Sequence, residues 1–204
     1  MKLHWAVLAA ALLLGPLSTW AQQAGRFDYY VLNLSWSPEY CYSHQGSPEC
    51  GKKLGFIVHG LWPQYNNAGR GPEHCGNQPG LSDPGRILNI MPDTGLIQHE
   101  WESHGTCSGL SANDYFDLIL TIYRSVTIPP QFQNATHSFI LRAADVKRAF
   151  EQANPSLNDA EISFTCAGQY LREVEICFSK EGKPQPCSGL RACTARTVHV
   201  NAPK

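Results

Sequence analysis

Tyr29-Tyr-Val-Leu-Asn-Leu-Ser-Trp-Ser37 alternates along its length, with Leu32, Leu34 and Trp36 on one side. A period of two is the signature of a strand with one face buried. Working outward, Lys53 to His59 is apolar on both faces near its end, as in a buried central strand, and His59 stands where that strand gives way to Gly60. Gly60 to Pro92 is rich in Gly, Pro and Asn and reads as a long loop region, the kind that often carries function. Ser111 with Asp114 forms a helix cap, and Phe116, Ile119, Leu120 and Tyr123 follow at helical spacing until Pro129-Pro130. A second helix is predicted over Ala143 to Ala153, and strands over Glu161 to Cys166 and Leu171 to Ser179, where Val174, Ile176 and Phe178 share a face. Strands and helices mix without regular alternation. The expected class is therefore α+β: one domain with a central, mainly antiparallel sheet, packed by helices and stapled by disulfides.

The chain's ends and composition narrow the setting. Lys2, an apolar run from Ala6 to Leu14, the break at Gly15-Pro16 and the small residues around Ala21 have the layout of a secretory signal peptide spanning residues 1–21. A membrane anchor would need ~20 apolar residues, and this run is far shorter. Residues 22–204 suit one domain with its own core. With 16 Lys+Arg against 17 Asp+Glu, no global basic field exists of the kind that coats nucleic acid. All eight cysteines (Cys41, Cys50, Cys75, Cys107, Cys166, Cys177, Cys187 and Cys193) follow the leader. An even count in an exported chain implies disulfides, whereas structural zinc would want C-x-x-C pairs, which are missing. Spacing alone leaves roughly a hundred pairings open. Asn33-Leu-Ser35 and Asn134-Ala-Thr136 fit the glycosylation pattern, the first inside an expected strand.

Two segments carry the chemistry: Phe56-Ile-Val-His-Gly-Leu-Trp-Pro-Gln64 and His99-Glu-Trp-Glu-Ser-His-Gly-Thr-Cys107. Histidine, with an unperturbed pKa of about 6.5, can donate or accept a proton near neutrality. A lone histidine is usually structural; three in two such segments point to acid–base work. His99-Glu100 beside a later histidine resembles the H-E-x-x-H zinc motif, which needs histidines four apart. His99 and His104 are five apart, about 140° around a helix, so they do not form that pair. Glu100 and His104 are four apart and share a helical face, which favours metal-free chemistry.

Ile57-Val-His-Gly-Leu-Trp-Pro63 and His99 to Cys107 resemble the two active-site segments of the ribonuclease T2 family, in the same order. Trp36 to Cys41 and the closing run Cys166, Leu171-Arg-Glu-Val-Glu-Ile-Cys177, Cys187 and Cys193 extend the resemblance over nearly the whole chain beyond the leader. It implies an endoribonuclease without metal or cofactor that cleaves single-stranded RNA by transesterification, giving a 2′,3′-cyclic phosphate and then a 3′-phosphate. DNA, lacking the 2′-hydroxyl, cannot react. By the same resemblance His104 is the general base, His59 the general acid and Glu100 the support of the phosphorane. His99 holds the phosphate, Trp62 stacks on a base with Tyr65 as a weaker candidate, and Gln64 contacts the base edge. Core packing is the competing reading of Trp62.

The resemblance also implies the pairs Cys75–Cys107, Cys166–Cys193, Cys177–Cys187 and Cys41–Cys50. One position departs from it. Ser103 stands where the family usually has a lysine thought to neutralise the phosphorane, with Lys52, Lys53, Arg70 and Arg86 as conceivable substitutes. The alternative is then a catalytically weak relative that binds RNA or signals, although such a protein needs no acid–base set. The expected setting is exported, periplasmic or extracellular, as a monomer away from any membrane.

Overall fold

The structure, a computed structural model, describes residues 23–67 and 70–203. The expected signal peptide, 1–21, lies outside the described residues. Strands β1 (Tyr29–Trp36), β2 (Phe56–Gln64), β3 (Phe139–Arg142), β4 (Ile162–Ala167), β5 (Tyr170–Phe178) and β6 (Thr197–Val200) form one sheet in the order β2-β1-β5-β6-β3, with β4 also paired to β5. Pairing is antiparallel throughout except for β5 with β6. Helices α1 (Ser37–Ser43), α2 (Thr94–Ser103), α3 (Ala112–Arg124), α4 (Pro130–Gln133) and α5 (Ala143–Ala153) complete the α+β domain.

Alternation in β1 sorts the two faces of the sheet. Tyr30, Leu32, Leu34 and Trp36 enter the main core, where Ile97 and Trp101 of α2, Phe116 and Ile119 of α3, Phe132 of α4 and Phe150 of α5 meet them. Trp36, Phe56, Phe132 and Phe150 stand edge-on or tilted to one another, with centroids 4.8–5.9 Å apart. Each such ring contributes about 1.5–3 kcal/mol by leaving water. On the opposite face Tyr29 and Val31 pack with Cys177. Asn33 and Ser35 continue that face as buried polar residues. Asn33 is therefore no glycosylation acceptor, because its side chain is wholly buried in a central strand; Asn134 is exposed at the end of α4.

The expected helices are present: Ser111 Oγ accepts from the Asp114 N–H and caps α3, and α5 spans Ala143–Ala153. α3 ends at Arg124, ahead of the prolines, which open α4 instead. The larger correction concerns β2. It starts at Phe56, is an edge strand, and runs on through His59 to Gln64. Gly60 and Pro63 suggested a loop, but both are compatible with a bulged edge strand. The remaining long segment is anchored by buried Ile87, Ile90 and Met91, and the Ile90 carbonyl accepts from the Val58 N–H. The four disulfides are Cys41–Cys50, Cys75–Cys107, Cys166–Cys193 and Cys177–Cys187, as the resemblance implied.

Candidate active site

The site begins with an irregularity. Asn33 pairs with Gly60 and Leu34 with Val58, so His59 has no partner on β1. This bulge lets Val58 and Leu61, three residues apart, both reach the core, while His59 and Trp62 turn to the other side with ring centroids 5.2 Å apart. Bulges re-aim side chains in this way. Gly60 has a second task, since a Cβ there would collide with Glu100 Oε2.

Helix α2 supplies the rest. Asp93 accepts from the Gly95 N–H and caps its start, while Ile97 and Trp101 bury its apolar stripe. That stripe places Glu100, 1% exposed, against β2. Trp62 Nε1 donates to Glu100 Oε2 at 2.7 Å, and the other oxygen lies 3.4 Å from His59 Nε2 without a hydrogen-bond partner. His104 caps the helix rather than lying within it, with φ −120°, yet its N–H still bonds the Glu100 carbonyl at 3.0 Å. That bond joins their backbones and says nothing of a face shared by the two side chains. The His104 and Trp62 rings are 5.2 Å apart, so Trp62 neighbours both histidines as well as the carboxylate. His99 is exposed on α2, and Gln64 is buried at the end of β2, on Trp62's side of the strand.

Two contacts were not anticipated. His59 Nδ1 donates to Glu173 Oε1 of β5 at 3.1 Å. His74, in the left-handed region at φ 55°, donates its backbone N–H to the Ser103 carbonyl at 2.8 Å. Its neighbour Cys75 bonds Thr106 Oγ1 at 3.2 Å and is disulfide-linked to Cys107. Each had a faint signal in sequence: acidic residues within a strand whose Val174, Ile176 and Phe178 are apolar, and a histidine beside a cysteine that pairs near His104. Among the suggested substitutes for the lysine, Lys52 donates to the Pro92 carbonyl and Arg86 pairs with Asp117. Ser103 itself is buried, and its hydroxyl has no partner.

Electrostatics divides the two histidines. Burial works against charge on His59, but the carboxylates of Glu173, Glu100 and Glu49 outweigh it and hold its pKa above the ordinary value. Burial depresses His104 to about 3, aided by repulsion from His59, His99 and His74. Burial lifts Glu100 to about 7, against the pull of His59 and the Trp62 N–H. One imidazole is thus displaced toward its charged form beside another displaced toward neutral, with a carboxyl lifted to about 7. Such a set can move one proton out and another in across a reacting group.

The family model described as "Ribonuclease T2 family" matches residues 27–187. A ribonuclease from Aeromonas hydrophila is 34% identical over 86% of this chain and 85% of the relative, and ribonuclease I of Escherichia coli is 25% identical over 92% and 91%. Among solved structures, the RNase-related protein from Calystegia sepium superposes with a TM-score of 0.67 at 23% identity, covering 87% of this chain and 98% of that one. A point mutant of RNase MC1, in complex with 5′-UMP, gives 0.67 at 23%, covering 84% and 97%. The match across most of the domain, with the two histidine-bearing segments brought together by a bulge and a helix end, makes this chain a member of the ribonuclease T2 family and a ribonuclease.

Proposed function

We propose that the protein cleaves single-stranded RNA by transesterification, with His104 as base and His59 as acid. The observation that carries this reading is the gathering of both imidazoles round Trp62, each ring 5.2 Å from it, with the Glu100 carboxylate hydrogen-bonded to the same indole; their surroundings displace the two in opposite directions, His104 toward neutral and His59 toward charged. His104 accepts the 2′-hydroxyl proton as O2′ bonds to phosphorus. His59 Nε2 gives its proton to O5′ as the P–O5′ bond breaks, leaving a 2′,3′-cyclic phosphate and a 5′-hydroxyl. Hydrolysis to the 3′-phosphate runs the same pair in reverse, with water in place of O5′. Glu100, with its free oxygen 3.4 Å from His59 Nε2, supports the phosphorane and shares a proton with it. His99 holds the phosphate, Trp62 stacks on the base and Gln64 meets the base edge.

The protein acts as an exported monomer, periplasmic or extracellular. Four disulfides support an oxidising compartment, and among the described residues no helix is long and apolar enough to cross a membrane. The mass of the mature chain tests cleavage after Ala21. A second reading, a weak enzyme that mainly binds RNA, rests on Ser103 alone. One assay separates the two: RNA digested with excess chelator present, beside His104→Ala and His59→Ala. Cyclic-phosphate ends from the parent protein and none from either variant support the enzyme; RNA retention without cleavage supports the binder.

A further inference from the structure

Glu173 lies behind His59, in a row of polar groups on the face of the sheet away from the main core. Within the sheet it is opposite Ser35 of β1 and Thr165 of β4. Thr165 Oγ1 and Arg172 Nη2 each donate to Glu173 Oε2 at 3.1 Å, which leaves Oε1 for His59 Nδ1 at the same distance. All the carboxylate's contacts are therefore divided between its two oxygens, and the group is held on both sides. His59 and Glu173 belong to strands separated by β1, a gap of about 9–10 Å at ordinary strand spacing. They meet because the bulge, at the level of Asn33 and Leu34, tips His59 over β1 toward Glu173, which lies across from the small Ser35.

The next acidic residue on this face, Glu175, marks Glu173 as the charged member of the row. Burial and the Glu173 charge lift Glu175 to about 7. Glu173, although burial opposes its ionisation, is drawn down to about 2 by His59, Arg172 and Thr165. One of the two carboxyls therefore stays neutral over the acidic range, and the permanent negative charge is the one touching the imidazole.

We propose that Glu173 is a positioning residue for His59: its carboxylate engages Nδ1, fixes the plane of the ring and leaves Nε2 as the nitrogen that faces the reacting phosphate. This rests on the reading of His59 as the acid. A carboxylate on Nδ1 does two things for such an acid. It selects which nitrogen hands over the proton, and it stabilises the cation before transfer. The other groups facing His59 are Glu100 from α2, Glu49 from the segment after α1 and His104 at the end of α2. Among the described residues only Glu173 hydrogen-bonds Nδ1, so its effect is separable from theirs.

The test uses the full folded chain and does not begin from activity. The His59 ring signal is assigned by its loss in His59→Ala and titrated by NMR in the parent, Glu173→Gln, Glu173→Asp and Glu175→Gln. The expected result is a fall of about one unit in the His59 titration in Glu173→Gln, partial recovery in Glu173→Asp and no movement in Glu175→Gln. With RNA, Glu173→Gln should lower kcat about ten- to a hundredfold at nearly constant KM, less than the ~10²–10⁴ of losing an acid outright, and move the alkaline limb of the profile down with the titration. An unmoved titration in a folded Glu173→Gln, or an equal shift in Glu175→Gln, overturns the proposal. So does a loss of kcat with the limb in place, which marks a merely structural role. If the parent cleaves no RNA, the proposed function fails while the titration still judges the Glu173–His59 contact.

Discussion

Trp62 and Glu100 are joined by a 2.7 Å hydrogen bond from the indole nitrogen to Oε2, so the residue expected to stack on a base also holds the central carboxylate. Phe and Ala substitutions separate these tasks. Trp62→Phe keeps an aromatic face but removes a donor to a buried acid, a loss of about 1.5–3 kcal/mol for a bond to a charged group. Expected is a kcat lower by roughly tenfold to a hundredfold with KM little changed. Trp62→Ala should also raise KM, since stacking contributes ~1–3 kcal/mol per base. Steady-state kinetics on a dinucleotide checks both, and identical kinetics for the two variants would remove the stacking role.

The pH profile should be bell-shaped and broad. On the proposed assignment the base works only when neutral, so the acid limb in kcat/KM follows His104, lowered by burial to about 3. The acid works only when protonated, so the alkaline limb lies above the ordinary histidine value of about 6.5. Activity therefore rises from about pH 3, holds through mildly acidic conditions and falls at a pH above the ordinary histidine value. A flat response from pH 4 to 9 speaks against this pair of histidines.

Glu175 should cost stability in a defined pH window. Its pKa is lifted from 4.5 to about 7 in the folded chain. The folded state then binds more protons than the unfolded between those values, so stability present below 4.5 is lost as pH rises through 7. Glu175→Gln keeps the shape without the charge. Its Tm should match the parent near pH 4 and exceed it increasingly toward pH 8, by an amount worth on the order of a few kcal/mol. Thermal unfolding at both pH values decides the matter; a constant offset would mean that Glu175 is ionised and satisfied.

Removing Cys75–Cys107 by double Ala substitution should lower both stability and turnover. The bridge closes a sequence separation of 32 residues and, with the His74 N–H donating to the Ser103 carbonyl and the Cys75 N–H to Thr106 Oγ1, holds His74 and Cys75 against the turn that carries His104. The stability loss should be about 2–4 kcal/mol. The same change at Cys41–Cys50, separation 9, should lower stability less and leave the pH profile unaltered. Paired melting curves and kinetics make the comparison.

Ser103→Lys should raise kcat by about tenfold or more, by analogy with single oxyanion donors at ~10²–10³. It should also lower Tm, because position 103 is 4% exposed. An unchanged kcat with a lowered Tm would mean that a cation already serves the transition state.

Much of this was legible in sequence where a pattern is local. The alternation of β1, the Ser111 cap and the span of α5 depend on neighbours within a few residues, and His59, Glu100 and His104 stand in two short phrases. The course of β2 past His59 was hidden because Gly60 and Pro63, breakers in isolation, are accepted by a bulged edge strand. Short β3 and β6 pair only with each other and at one point with β5, so nothing local announces them. Glu173 was hidden for a third reason: 114 positions from His59, it meets it only once β1 has been laid between them.

The bulge in β2 has an arithmetic meaning. With His59 taken out of the chain, Val58 would be followed directly by Gly60, and the pairs Leu34–Val58 and Asn33–Gly60 would become consecutive rungs. Phe56, Val58 and Leu61 would then alternate without a fault. The histidine is thus an insertion into a strand that is geometrically complete without it, and the sheet would close over its absence more regularly than it accommodates its presence.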